Sequence, residues 1–252
     1  MSLRLLSYNI RAGGVGRIDA IAEVIRSQNA DVVLLQEAIR PDLVERLAEQ
    51  CGYPHHSSRS GNSTAFLSRE RVGHVAWHRP RRARHAFLEL VLADHDTRVF
   101  ALHLSAWSSN WSERRRTIEI RALLEGIREH QHGFHLVVGD FNALAPGERL
   151  QIGRMPRWIR AMVWLSGNDI ARATIQTMLD ARYIDAWRYR NGNAEGYTFP
   201  TWDPHVRLDY AFAPERDAAR IVECRIVGDP PAVKTASDHL PLLVDVDEPR
   251  AA

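Results

Sequence analysis

The sequence predicts a single α/β domain with mixed sheets. Short apolar runs of strand length alternate with stretches whose apolar residues recur at one-sided helical spacing, the pattern of an α/β fold. Hairpin-like strands succeed one another between residues 63 and 104, so part of the pairing is antiparallel. No segment rich in Pro, Gly or Ser divides the 252 residues, and no repeat is visible. One domain over 1–248, with 249–252 as a disordered tail, is the expectation.

In chain order, Leu3 to Tyr8 reads as a strand. Arg17 to Gln28 is a helix, with Ile18, Ile21, Ala22 and Ile25 on one face. Asp31 to Leu35 is a buried strand. Pro41 suits a first helical turn and opens a helix through Gln50. Strands are expected at Ser63–Ser68, Val72–Trp77, His85–Leu92 and Arg98–Leu104. Ser112 is the expected cap of a helix to about His130, burying Ile120, Leu123, Leu124 and Ile127. Phe134 to Val138 is a strand and Ile170 to Ala181 a helix. Arg207–Phe212, Ala219–Val227 and Leu240–Val246 complete the strands.

Composition excludes several classes. Hydrophobic residues make up 45% and charged residues 25%, ordinary globular values that argue against disorder, collagen and coiled coil. The longest apolar run, Ala161 to Leu165, has five residues, against about 20 for a membrane-spanning helix. Cys51 and Cys224 are too few for a disulfide-stapled secreted domain. No secretory signal pattern precedes the first strand, and a cytoplasmic monomer is expected. The net charge is +2, yet Lys234 is the sole lysine among 33 basic residues. A coding bias is the better explanation and phosphate recognition by arginine the sharper alternative, so charge alone does not establish a DNA partner.

Function is read from the polar residues at the strand ends. The first strand ends in Asn9, the second in Gln36-Glu37. The Arg98 strand delivers His103, and the Phe134 strand ends in Gly139-Asp140-Phe141-Asn142. Asp209 sits within RLDYAF, and Ser237-Asp238-His239 precedes the final strand. In open α/β sheets ligands bind beyond one end of the strands, and carboxylates, amides and imidazoles gathered there suit divalent-metal and proton-transfer chemistry. Taken singly, each has an ordinary explanation: Glu37 a cap, Asp140 or Asp238 a turn residue, Asn142 an Asx-turn, His103 a satisfied core histidine, Asp209 a structural acid. The other histidines are scattered and make no zinc spacing such as HExxH.

The segments SYNIR (7–11), LLQE (34–37), LHLSAW (102–107), GDFNA (139–143), RLDYAF (207–212) and SDHLP (237–241), in this order, resemble the endonuclease/exonuclease/phosphatase family over essentially the whole chain. The resemblance implies a four-layer α/β sandwich of two mixed sheets packed face to face and flanked by helices. It also implies hydrolysis of a phosphate ester by in-line attack of water with Mg²⁺, for which Mn²⁺ can substitute. By motif, Glu37 would be the main metal ligand with Asn9 beside it, and Asp238 would bind metal or assist the leaving group. Asp140 would orient or deprotonate the water, and Asn142 would hold the phosphate or the metal-bound water. His239 would face the scissile phosphate with Asp209 fixing its imidazole. His103 matches a second histidine of the deoxyribonuclease-like and sphingomyelinase-like branches, where abasic-site endonucleases typically carry tyrosine.

A phosphodiesterase acting on DNA or RNA is the leading reading. A lipid or small-molecule phosphohydrolase and a non-catalytic binding module are the alternatives. Arg84 and Arg207 are candidate phosphate clamps, with surface solvation the better reading of Arg84. Tyr197, Phe199 and Trp202 could stack on a base or line a headgroup pocket. Segment 147–170, basic and aromatic-rich, is expected mainly to pack against the body; a lid, a DNA-binding element and a membrane-surface helix are the other readings.

Overall fold

The computed structural model describes residues 2–247 except 82, 96, 107–108, 131–132, 166 and 168. The expected tail at 249–252 and Trp107 of the LHLSAW motif lie outside the described residues. Among them, twelve strands form two six-stranded sheets. The first is built from β1 (Ser2–Asn9), β2 (Val32–Gln36), β3 (His55–Ser58), β4 (Thr64–Ser68), β11 (Ile221–Ile226) and β12 (Leu242–Asp247), in the order β11-β12-β1-β2-β4-β3. The second holds β5 (Val72–His78), β6 (Phe87–Leu92), β7 (Arg98–His103), β8 (His135–Asp140), β9 (Tyr183–Asp185) and β10 (Asp209–Pro214), in the order β5-β6-β7-β8-β10-β9.

Alternation along each strand makes the layers. In β1, Leu3 and Leu5, with Val32 and Leu34 of neighbouring β2, face the second sheet and form one cluster with its Leu90, Val99, Leu136 and Val138. Leu6 and Tyr8 point the other way, to Ile21 and Ile25 of α1 (Ile18–Gln28) and Val44 and Leu47 of α2 (Pro41–Cys51). Both faces are covered, which is why these strands read as continuous apolar runs. The outer face of the second sheet buries Phe100, Val137 and Phe212 against Ile120 and Leu123 of α3 (Asn110–Gly126) and Ile175 and Met178 of α5 (Ala173–Asp180). The order helix, sheet, sheet, helix is the four-layer sandwich expected. The remaining helices are α4 (Arg157–Leu165), α6 (Ala186–Asn191) and α7 (Val233–Ala236).

Several boundaries differ from the sequence reading. Helix α3 is capped by Ser109, not Ser112: the Ser109 hydroxyl accepts from the Ser112 N–H, while the Ser112 hydroxyl accepts from the Ser109 N–H. This is a capping box with serine in both places, and Ser112 is its third helical residue. The helix ends at Gly126, before a short 3₁₀ turn. Residues 215–220 form a 3₁₀ helix, so β11 starts at Ile221 and not Ala219. The short elements β3, β9 and α6 carry no periodic signal long enough to read; β3 is the polar run HHSS at a sheet edge.

Two parallel pairs set up the site. β1 runs parallel to β2, with Asn9 opposite Gln36. β7 runs parallel to β8, with His103 opposite Asp140. Antiparallel β10 brings Asp209 opposite Asp140 from the other side.

Candidate active site

All but one of the expected polar residues converge where these strands end; Asp238 is the exception. The Asn9 Nδ2 donates to Asp140 Oδ2 at 2.9 Å and to Glu37 Oε1 at 3.3 Å, so one amide joins an acid from each sheet. Glu37 comes directly after β2 with φ 55°, a left-handed conformation that non-glycine residues adopt at a cost and that marks functional turns. Its Oε2 accepts the Ala12 N–H at 2.6 Å. Burial works against charge on Glu37, but the Ala12 N–H, His103, Asn9 and His239 outweigh it and hold the carboxyl below its ordinary range.

Asp140 is wholly buried. Its Oδ1 accepts the Asn142 N–H at 2.8 Å, and its Oδ2 accepts Asn142 Nδ2 at 3.0 Å. Asn142 manages both by taking φ 49°, which asparagine tolerates better than most residues. The glycine of GDFN is steric: Gly139 has φ 142°, and a Cβ there would stand 2.1 Å from the Leu102 carbonyl oxygen of neighbouring β7. Burial, reinforced by Asp209 and opposed by His239 and Asn9, raises the Asp140 carboxyl to about 7.

Two imidazoles flank that acid. His239 Nδ1 donates to Asp209 Oδ2 at 2.8 Å, and its Nε2 lies 3.9 Å from Asp140 Oδ2. Burial opposes charge on His239, but Asp209 and Asp140 overcome it and raise the imidazole to about 10. His103 Nε2 lies 3.8 Å from Asp140 Oδ2. Burial drives His103 down to about 4 against the pull of Glu37, and its buried Nδ1 has no hydrogen-bond partner among the described residues. One imidazole is therefore held as a cation and the other as a neutral base. Neither Nε2 is close enough to Asp140 for a hydrogen bond.

Asp238 stands at the rim and pairs with Arg11, Nε to Oδ2 3.4 Å. The expected clamp Arg207 is not in the site. It is buried in an ion-pair network with Glu148 and Asp185, at 2.7 and 2.6 Å, and lies over the Tyr210 ring. Burial left it no route to solvent phosphate, and acids from the 147–170 segment and β9 claim it. Arg84 is exposed, the solvated state the sequence favoured.

Of the aromatics expected near the site, Phe199 has its ring 5.0 Å from His239. Other neighbours were not anticipated. The His85 ring stacks on His103 at 5.4 Å. Glu113, Arg116 and Glu119 of α3 are buried; Glu119 accepts from the Ser105 N–H and hydroxyl, and Arg116 donates to the Ser105 carbonyl, fixing the chain just past His103. Their signal was available: charges at three-residue steps on the face that apolar periodicity turns inward.

The donor set suits a hard divalent cation. Asp140, Asp209 and His239 place one ligand atom each within 4.8 Å of one another and could hold an ion. In that trio, however, His239 Nδ1 and Asp209 Oδ2 are already spent on each other. Glu37 and Asp140 each present a carboxylate oxygen to the same Asn9 amide. Burial is the main cause of the rise of Asp140 to about 7, and a cation beside it would favour the ionised carboxylate. Asn9 turns its Nδ2 to these acids while its Oδ1 accepts the Arg11 N–H, so ligation through its oxygen requires the amide to flip.

This fold and strand-end cluster are those of a phosphoesterase. A sequence model of the Endonuclease/Exonuclease/phosphatase family matches residues 6–239, and the chain belongs to that family. Among solved structures, an AP endonuclease from Archaeoglobus fulgidus superposes with a TM-score of 0.73 at 17% identity, covering 97% of this chain and 99% of that one. The 3′ phosphatase NExo from Neisseria, bound to product DNA hairpin, gives 0.73 at 17% identity over 97% and 99%. TDP2 from D. rerio, complexed with single strand DNA product, gives 0.67 at 18% over 98% and 99%. At these identities the likeness is one of fold. No curated protein matches the chain by sequence. Among the described residues no helix is long and apolar enough to cross a membrane.

Proposed function

We propose that the chain is a divalent-metal-dependent phosphodiesterase acting on nucleic acid. The observation that carries this reading is the buried Asp140 set between a cationic and a neutral imidazole, with Glu37 alongside. Glu37, joined to Asn9, would hold Mg²⁺ or Mn²⁺, with Asp238 at the rim as a further donor, and the bound ion would polarise a phosphoryl oxygen and offset its developing charge. Water attacks phosphorus in line with the leaving oxygen, forming one P–O bond as the opposite one breaks. Asp140, near 7, is matched to accept the proton of that water at neutral pH. Asn142 holds Asp140 in orientation through both of its oxygens. His239 keeps its proton and donates from Nε2 to a non-bridging oxygen, while Asp209 holds the ring and its charge. The leaving oxygen takes a proton from solvent. The DNA held by two of the structural neighbours supports nucleic acid as the substrate class.

The test is a panel of abasic duplex, single-stranded DNA, a small generic phosphodiester, sphingomyelin and inositol phosphates, each with Mg²⁺, Mn²⁺ or EDTA. Metal-dependent cleavage of the DNA substrates is expected. Exclusive turnover of sphingomyelin or inositol phosphates would overturn the substrate class, and full activity in EDTA would overturn the metal.

A further inference from the structure

Helix α4 has two apolar faces. Val163 is buried, and Ile159, one turn before it, packs on the cluster of Leu144, Met155, Val206 and Leu208. Trp158, Ala161, Met162 and Leu165 keep the i, i+3, i+4, i+7 spacing of a second stripe. That stripe points outward: Trp158 is 61% and Leu165 76% exposed, and Trp164 beside it is 67% exposed. Val163 is the one buried residue of this helix. The packing expected of segment 147–170 therefore holds for its start, where Glu148 bonds Arg207 and Arg188, and for the Ile159–Val163 face of α4, while the second face of α4 is left uncovered. Large exposed apolar surface on a soluble domain marks an interaction site.

Charge identifies the occupant. Between Arg149 and Gly167 the sequence has four arginines and no acid. Arg154 is paired with Asp203; Arg157 and Arg160 are exposed on α4 itself. We infer that α4 docks on an anionic lipid surface, with Trp158, Met162 and Leu165 at the boundary between headgroups and acyl chains and Arg157 and Arg160 against lipid phosphates. A nucleic acid would use the tryptophans and arginines but would leave the aliphatic Met162 and Leu165 without a partner. The helix is also joined to the catalytic edge. Phe199 packs on the same cluster as Ile159 and touches His239 with its ring. Docking α4 would hold that edge close to the lipid. The inference does not depend on which ester is cleaved.

The experiment is co-flotation with phosphatidylcholine vesicles with and without phosphatidylglycerol, alongside tryptophan fluorescence. The full chain is expected to float with the anionic vesicles, with a blue-shifted emission, and to bind less at high salt because the arginine contribution is screened. A Trp158→Ser, Leu165→Ser variant is expected to lose binding by about tenfold or more, and Arg157→Ala, Arg160→Ala to lose the preference for anionic vesicles. Both variants should keep wild-type hydrolysis of a small soluble diester, since none of these side chains belongs to the site. Three results would each overturn the inference: no binding to anionic vesicles, binding unchanged in the Trp158, Leu165 variant, or self-association or single-stranded DNA, in place of vesicles, shifting the tryptophan emission.

Discussion

His239 Nδ1 and Asp209 Oδ2 are 2.8 Å apart, and both side chains are buried. A hydrogen bond of this length between oppositely charged groups out of water is stronger than a neutral one. It fixes the ring so that Nε2 faces Asp140. In the proposed mechanism Asp209 would be a positioning residue that acts through the imidazole.

Asp209→Asn should keep the fold and lower kcat far more than it raises KM. It should also move the basic limb of the pH–rate profile downward. The present value of about 10 exists because carboxylates overcome burial; with Asp209 gone, burial dominates and the proton leaves at lower pH. A variant with wild-type kcat and pH profile would remove Asp209 from the mechanism.

The same imidazole makes stability pH-dependent in metal-free protein. Its folded value, about 10, lies above the ordinary 6.5. The stabilisation is therefore complete below about 6.5 and is lost as pH rises through 10. His103 has the opposite sense, about 4 against 6.5: the unfolded chain binds the extra proton, so stability falls as pH drops from 6.5 toward 4. Urea melts across pH should show that acid-side fall reduced in His103→Gln.

Glu37→Gln keeps the shape and removes the charge. Activity should fall on the order of 10² or more, as for loss of an electrostatic catalytic group, with partial recovery at high Mg²⁺ or in Mn²⁺. Titrations of rate against metal concentration check this; a mutant with wild-type rate and metal dependence would exclude Glu37 as the ligand.

Arg207→Leu should be costly for a different reason. It would leave buried Asp185 without its arginine and half-buried Glu148 with Arg188 alone, and loss of one partner of a buried pair is worth about 3–5 kcal/mol. Denaturant melts should show that loss, while kcat per folded molecule stays near wild type. A fall in kcat at unchanged stability would restore Arg207 as a substrate contact.

The strands of the sandwich were legible because their apolar runs are bounded by polar residues, and the site was legible because those bounding residues are Asn9, Glu37, His103 and Asp140. Their gathering at one end of the strands was legible too, but not which partner each would take. That Asn9 bonds Asp140 from the opposite sheet depends on how two sheets pack, and no spacing along the chain encodes it. Arg207 misled for a related reason. It precedes Asp209 by two residues, so it shares that residue's face by strand alternation, yet Glu148 and Asp185 arrive from distant segments and claim it. Ser112 misled by one turn because Ser109 and Ser112 fill both places of the capping box, and a box with serine at its third position lacks the usual glutamate. Helix α4 was missed as an element because both of its faces are apolar, which blurs the one-sided period that marks a helix.

β1 takes β12 as its antiparallel partner, Ser2 opposite Asp247, and the whole second sheet is spelled out in between. During synthesis that edge of β1 stays unpaired until β12 has been made. Asp238 and His239 lie just ahead of β12. A chain cut before Asp238 would hold Glu37, His103 and Asp140 but neither His239 nor the strand that seals the first sheet. Closure of the first sheet and delivery of the imidazole to Asp209 are thus tied to the same short stretch of chain.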